Sequence, residues 1–318
     1  MRKKYQNISK QILILSKKKN VQKASINRHC FYEKSYIDLI TPFTDLIAVG
    51  RDSSNKHIYL PGVQFDEYVE YNILDFAISS TLQMLIGNFE KQFKSFLSHK
   101  YCQKMKDHGD SYAKDFSWID DYKKNKQVFD LIKIRQQYDY AGALVLSDPQ
   151  LRKRRRDVLD EILRIQTSNS KNYLVNHYLS NYHYVPFFIV VHSLSLGKLL
   201  TLFGMLNNDD KNDFLCIFNN TNKRYPDSHI KKFESDILRI HVMRNIVNHY
   251  ESIFPFIQNT KSPNFPALIS LLEKLKNNFS NCATVSPYSF AFNKTHSARN
   301  RYSLEFHLKI EKIINAIK

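Results

Sequence analysis

From Phe65 to Leu97 the apolar residues of this chain recur at steps of mostly three and four: Phe65, Val69, Ile73, Phe76, Leu82, Leu85, Ile86, Phe89, Phe93, Phe96 and Leu97. That rhythm matches the 3.6-residue turn and not the two-residue period of a strand. It predicts one long amphipathic helix over residues 64–99, with Gly87 as the position where a break is expected. Further helical patterns along the chain make the expected fold class all-α. Glycine agrees. The 318 residues include 7 glycines, too few for the tight turns of a sandwich or barrel. No G-x-G-x-x-G and no P-loop run occurs, which speaks against a dinucleotide-binding fold. Hydrophobic residues make up 43% of the chain, enough for a sizeable core and against wholesale disorder.

The rest of the chain extends this reading. Residues 31–62 carry Pro42, Gly50 and Pro61-Gly62 and read as irregular. Residues 101–120 look like a polar loop with short helical turns, and 121–140 like another helix. Residues 152–166 predict a short basic helix with Val158, Ile162 and Ile165 on one side. Pro186 suits a helix start, and residues 187–206 are apolar nearly all round, which marks a central buried helix ended by Asn207-Asn208-Asp209-Asp210. A turn at Pro226-Asp227-Ser228 precedes a helix from about His229. Residues 265–278 and 302–317 are two further amphipathic candidates. The expected organisation is a basic arm over residues 1–30, then one all-α domain over 31–318, its core at about 60–255 and its C-terminal helices at 265–318.

Charge is the first functional clue. Lys and Arg number 47 against 30 Asp and Glu, a net charge of +17. Such a chain is drawn to polyanions. Residues 1–32 carry Arg2, Lys3, Lys4, Lys10, Lys17, Lys18, Lys19, Lys23 and Arg28 and no acid; Arg152, Lys153, Arg154, Arg155 and Arg156 form a second cluster. The plain alternative for each cluster is a solvated tail or helix face. Cys30, Cys102, Cys216 and Cys282 are far apart, so they read as free thiols, with no metal site and no cofactor expected. The apolar run Ile12 to Leu15 is too short for a signal peptide, and Val185 to Val191 is far below membrane-spanning length. The expectation is a cytoplasmic protein with no membrane partner.

One small constellation could carry chemistry: Arg244-Asn245-Ile246-Val247-Asn248-His249. Spacing alone says little, because Arg51/His57, Arg224/His229 and Arg301/His307 have similar intervals. Context separates them. Arg51 sits in a Ser/Asn loop, Arg224 is followed by Tyr225-Pro226, and Arg301 by Tyr302. Only Arg244 is followed by Asn at the end of a strong helical pattern. On a helix Asn245 and His249 share a face, so Asn245 could orient the imidazole. Arg244 and His249 diverge by about 140°. One copy makes a poor site; two copies meeting across a two-fold axis could surround one phosphate, which points to a homodimer. The opposing reading is an Arg and a His that decorate a helix C-terminus, where cations are favoured.

These residues resemble a known family. Arg244-Asn245-Ile246-Val247-Asn248-His249-Tyr250-Glu251-Ser252-Ile253-Phe254 is similar to the R-N-x-x-A-H-H-E-x-I-F pattern of Abi-like (abortive infection) proteins in the HEPN superfamily. Arg244, Asn245, His249, Glu251, Ile253 and Phe254 fit; Asn248 and Tyr250 stand where Ala and His are usual. The stretch from Val185 to Leu199 resembles the family's P-x-W-V-x-x-E-x-L-S-F-G-x-L. There Pro186, Leu194, Ser195, Gly197 and Leu199 fit, and His192 replaces the usual Glu. The likeness covers about residues 60–255.

The resemblance implies a HEPN-like helical bundle and a metal-independent endoribonuclease, a toxin-like effector of phage defence. In that role an RNA 2′-OH attacks the adjacent phosphate. His249 serves as general base or acid, Arg244 binds the phosphate and stabilises its developing charge, and Asn245 holds the imidazole. Asn248 and Glu251 are candidate supporting residues. Lys17, Lys18, Lys19 and Arg152 to Arg156 are candidate RNA phosphate contacts. Some Abi-like proteins act with a structured non-coding RNA, and the basic arm suits such a partner. The main alternative is a non-catalytic RNA-binding protein, a ribonucleoprotein component using the same surface; a protein-binding antitoxin or regulator is a third. His192 is read as a core histidine, and Tyr173, Tyr178, Tyr182 and Tyr184 as core packing ahead of base stacking.

Overall fold

A computed structural model of the protein describes residues 6–24, 28–59, 62–107, 148–167, 172–260, 264–279 and 301–317. The fold is all-α, with a few two-residue strands among the described residues. It divides into two compact units, Met1–Met84 with Met243–Lys318, and Leu85–Val242.

The first unit begins with α1 (Ile8–Lys18), whose start is fixed by the Asn7 side chain accepting the Lys10 amide at 3.0 Å. Leu15 is wholly buried and anchors the helix. The basic N-terminal stretch is therefore helical over its middle. Strand β1 (Val21–Gln22) pairs in parallel with β4 (Val63–Gln64), Val21 opposite Val63. Between them lie α2 (Cys30–Glu33), α3 (Tyr36–Leu39), a 3₁₀ turn at Thr41–Phe43 and α4 (Thr44–Ile47). The antiparallel pair β2 (Gly50–Arg51) and β3 (His57–Ile58) follows. Its turn is held by the Asp52 carboxylate, which accepts the Ser54 and Lys56 amides at 2.8 and 2.9 Å. The segment expected to be irregular is thus a series of single helical turns and minimal strands.

Helix α5 (Phe65–Asp107) runs unbroken through Gly87 and past the expected end. A lone glycine costs a helix only about 1 kcal/mol, and the fully buried Phe89 and Phe93 just beyond it hold the axis. Residues 65–84 belong to the first unit and the remainder to the second. The helix expected over 121–140 lies outside the described residues.

The second unit continues with α6 (Asp148–Thr167), which buries Val158, Ile162 and Ile165. Next is α7 (Tyr173–Tyr182), capped by the Asn172 side chain on the Leu174 amide at 2.9 Å. The central buried helix expected over 187–206 is two helices, α8 (Phe187–Ser193) and α9 (Leu196–Gly204). Leu194 and Ser195 between them are extended, with ψ of 139° and 155°. Polar groups from other helices take up the end of α8. Asn172 donates to Ser193 Oγ at 2.8 Å, and Lys94 Nζ reaches the His192 carbonyl at 3.4 Å. The bend leaves both Leu194 and Leu196 buried. Gly197 allows a close approach, since a Cβ there would lie 3.2 Å from His241 Nε2.

The Asn207 to Asp210 run starts a helix instead of ending one. The Asn207 side chain accepts the Asp210 amide at 2.8 Å and caps α10 (Asn208–Phe218). Helix α11 (Asp227–Asn248) then contributes its residues up to Val242 to this unit. The core here is a phenylalanine cluster in which Phe96 meets Phe214 at 4.8 Å and Phe218 meets Phe233 at 5.2 Å. Two ion pairs are buried beside it, Lys211–Glu234 at 2.8 Å and Arg239–Asp236 at 2.6 Å.

The chain returns to the first unit at Met243. There α12 (Phe254–Asn259), α13 (Asn264–Phe279) and α14 (Arg301–Ile317) follow, and α14 packs on α4, α12 and α13. Phe254 joins the core edge-on to Phe43, ring centres 5.3 Å apart.

Candidate functional site

The R-N-x-x-x-H residues sit where α11 ends. Arg244 and Asn245 are half-buried and His249 is exposed. The helix closes with a Schellman arrangement, in which the Glu251 amide donates to the Ile246 carbonyl at 3.0 Å and the Tyr250 amide to Val247 at 3.4 Å. This needs a left-handed residue, and Tyr250 takes it with φ of 56°. Tyr250 is 83% exposed, so its ring contributes little packing. His249 is the last residue before the reversal, and its amide still bonds Asn245 O at 3.1 Å. Asn245 and His249 are therefore one turn apart on one face. Arg244 lies about 140° around the axis and about 7.5 Å along it. Asn248 accepts from Gln83 Nε2 at 3.5 Å, a long contact at the surface. Glu251 is exposed, and the bond seen for it is the backbone one that closes the helix.

The residues after His249 are held by an acid that the sequence reading missed. Asp75, on α5, is 8% exposed. Its Oδ1 accepts from Ser252 Oγ at 2.9 Å, from the Ile253 amide at 2.9 Å and from the Phe254 amide at 3.3 Å. One carboxylate oxygen thus ties down the chain immediately beyond the candidate histidine and caps α12. Burial pushes the Asp75 carboxyl up to about 6, against the pull of these donors and of the Lys34 charge. A signal was present. Tyr71, Leu74, Ile78 and Leu82 form the buried face of α5 in this unit, and Asp75 falls on that face at i+4 from Tyr71. An acid inside an apolar stripe asks for partners.

The basic candidates divide. Lys17 and Lys18 are exposed on the last turn of α1. Lys19 turns inward: its ammonium lies 3.3 Å from Thr44 Oγ1 and over the rings of Tyr36 and Tyr59 at 5.6 and 5.3 Å. Burial lowers its pKa to about 8. Lys153 is exposed on α6, which also carries Arg152, Arg154, Arg155 and Arg156, whose side chains lie outside the described residues. Arg244, His249, Lys17 and Lys18 belong to the first unit and the α6 cluster to the second.

Two packing expectations are corrected. His192 is at the surface near the end of α8 and not in the core; partial burial, with the Lys94 charge beside it, pulls its imidazole below the ordinary value. Tyr173 and Tyr182 are 77% and 54% exposed, because α7 buries Val175 and leaves its aromatic face outward. Among the described residues no group of three or more His, Cys, Asp or Glu has metal-binding geometry, and no helix is long and apolar enough to cross a membrane.

Fold and site together define an all-α protein that ends a long helix on an R-N-x-x-x-H sequence. The chain matches the model of the Abi-like protein family over residues 26–255, and it belongs to that family. The match begins before the α2 to α4 turns, earlier than the motifs alone reach, and ends just past Phe254. Membership associates the protein with abortive infection, a form of phage defence. No curated protein and no solved structure matches the chain significantly.

Proposed function

We propose that this protein is a metal-independent endoribonuclease of the HEPN type, acting in phage defence and controlled by a bound RNA. The observation that carries the reading is His249 exposed at the end of α11, one turn after Asn245 and five residues after Arg244, in a family member whose net charge is +17. An exposed imidazole can take the proton from an RNA 2′-OH as that oxygen attacks the adjacent phosphorus. The P–O bond to the next nucleotide breaks, its 5′ oxygen takes up a proton, and a 2′,3′-cyclic phosphate and a 5′-OH remain. Arg244 would neutralise the charge that builds on the phosphate oxygens. Asn245 would orient the imidazole from the preceding turn. Because Arg244 and His249 diverge around the axis, we place the complete site between two copies, each supplying the end of its α11. Dependence on the 2′-OH restricts the chemistry to RNA.

The test is RNA cleavage by wild type and His249→Ala, with product ends identified. The expected outcome is loss of activity by a factor of about 100 or more in a variant that keeps its helix content. Products ending in 2′,3′-cyclic phosphate support the assigned chemistry. Undiminished cleavage by His249→Ala would sink it, and RNA binding without cleavage by the wild type would leave the non-catalytic ribonucleoprotein reading in its place.

A further inference from the structure

The candidate site makes no use of a strip of aromatic rings along α7. Tyr173 is 77% exposed and Tyr182 54%. His177, one turn after Tyr173, stacks on it with ring centres 6.1 Å apart and planes at 29°. The same imidazole meets Tyr178 at 5.9 Å and Tyr182 at 6.3 Å. Tyr178 in turn meets Phe188, itself 41% exposed, at 6.0 Å. Positions four apart share a helix face, which pairs Tyr173 with His177 and Tyr178 with Tyr182, and the contact of His177 with Tyr182 joins the two pairs. Within these 10 residues Val175 is buried, and a helix with so much aromatic surface outside is built to meet something.

The chemistry of the strip selects the occupant. Tyrosine and histidine keep a polar edge in water while offering a π face, so the bare surface is tolerated and bases can stack on it. No acid occurs in α7. The helix packs against α6, on which the sequence places Arg152, Lys153, Arg154, Arg155 and Arg156, with Lys153 exposed. Aromatic faces beside a basic helix match a strand of phosphates and unpaired bases. A second copy meeting this surface through the same face would set one Arg152 to Arg156 run against the other. A duplex keeps its base faces stacked inside and could use only the charge.

We propose that the α7 ring strip is a binding site for single-stranded RNA, whose unpaired bases stack on Tyr173, His177 and Tyr182 while basic residues of α6 hold its phosphates. The site extends the RNA-directed reading and does not depend on cleavage at His249.

The experiment is fluorescence anisotropy with an end-labelled, unstructured uridine-rich RNA and a duplex RNA of equal length. The protein is the full chain carrying His249→Ala, so that the probe stays intact. Adding Tyr173→Ala and Tyr182→Ala together weakens single-strand binding about ten- to a hundredfold and leaves duplex binding within about twofold. Tyr173→Phe with Tyr182→Phe keeps single-strand binding within about twofold, because phenylalanine retains the stacking face. Circular dichroism confirms that the variants stay folded. The proposal is overturned if the parent does not bind the single strand, if the alanine pair binds it like the parent, if the phenylalanine pair loses as much, or if duplex binding falls equally. Saturable binding to vesicles of anionic lipid that the alanine pair abolishes, with RNA binding unchanged, would overturn it in favour of a membrane surface. Cleavage surviving in His249→Ala would end the assignment of His249 and leave the comparison of the tyrosine variants to decide the binding site.

Discussion

Asp75 is the residue on which the geometry around His249 depends most visibly. It is a buried carboxylate whose one oxygen serves three donors. Asp75→Ala orphans those donors and should cost about 2 kcal/mol or more, read as a lower urea midpoint. Its pH behaviour has a definite sign. The folded-state pKa of about 6 lies above the unfolded 3.8. Stability from this group is therefore full below about 3.8 and is lost as pH rises through about 6, an effect of roughly 3 kcal/mol at most. Asp75→Asn keeps an accepting oxygen and removes the titration. Relative to wild type, the variant should gain stability as pH rises from 5 to 7; parallel melting curves at both values would refute the assignment. The candidate histidine and arginine were legible because a short motif names them. Asp75 was legible only as an acid in an apolar stripe, because its partners lie 177 to 179 positions away.

At the level of the element, the end of α11 decides where His249 points. The reversal is closed by Tyr250 in a left-handed conformation, φ 56°. That conformation costs an L-residue about 1–2 kcal/mol, and glycine returns part of the gain through its freer unfolded chain. Tyr250→Gly should therefore stabilise by about 0.5–1 kcal/mol, measured by chemical unfolding. A loss of stability would mean that the exposed ring makes contacts of its own. The break between α8 and α9 is a lesson about helices read from pattern. Residues 187–206 are apolar all round, and no periodicity separates one buried helix from two. What separates them is Asn172 on Ser193 and Lys94 on the His192 carbonyl, partners supplied by other helices. The Asn207 cap was misread for a related reason, since an Asn-Asn-Asp-Asp run fits a helix end and a helix start equally until the capped amide is seen.

For the whole molecule, charge is the dominant property, and it gives a prediction that separates two kinds of lysine. The logarithm of the RNA affinity should fall linearly with the logarithm of salt concentration. Lys17→Ala with Lys18→Ala should lower that slope by up to about 2 if both meet phosphates, about 1 per lysine. Lys19→Ala should leave the slope unchanged and lower the melting temperature, because its ammonium is spent on Thr44, Tyr36 and Tyr59. A slope change from Lys19 as large as from its neighbours would refute this division. The sequence alone determined the helical class, the long helix from Phe65, the buried stripe of α6, the family and the R-N-x-x-x-H segment. Each of these is a local pattern or a short motif, and 3.6-residue periodicity survives whatever the chain packs against. Tertiary structure decided the division into two units, the bend at Leu194 and Ser195, the inward turn of Lys19, the outward aromatic face of α7 and the partners of Asp75. Those outcomes depend on which distant residue fills a given space or satisfies a given polar group, and a linear pattern carries no record of that choice.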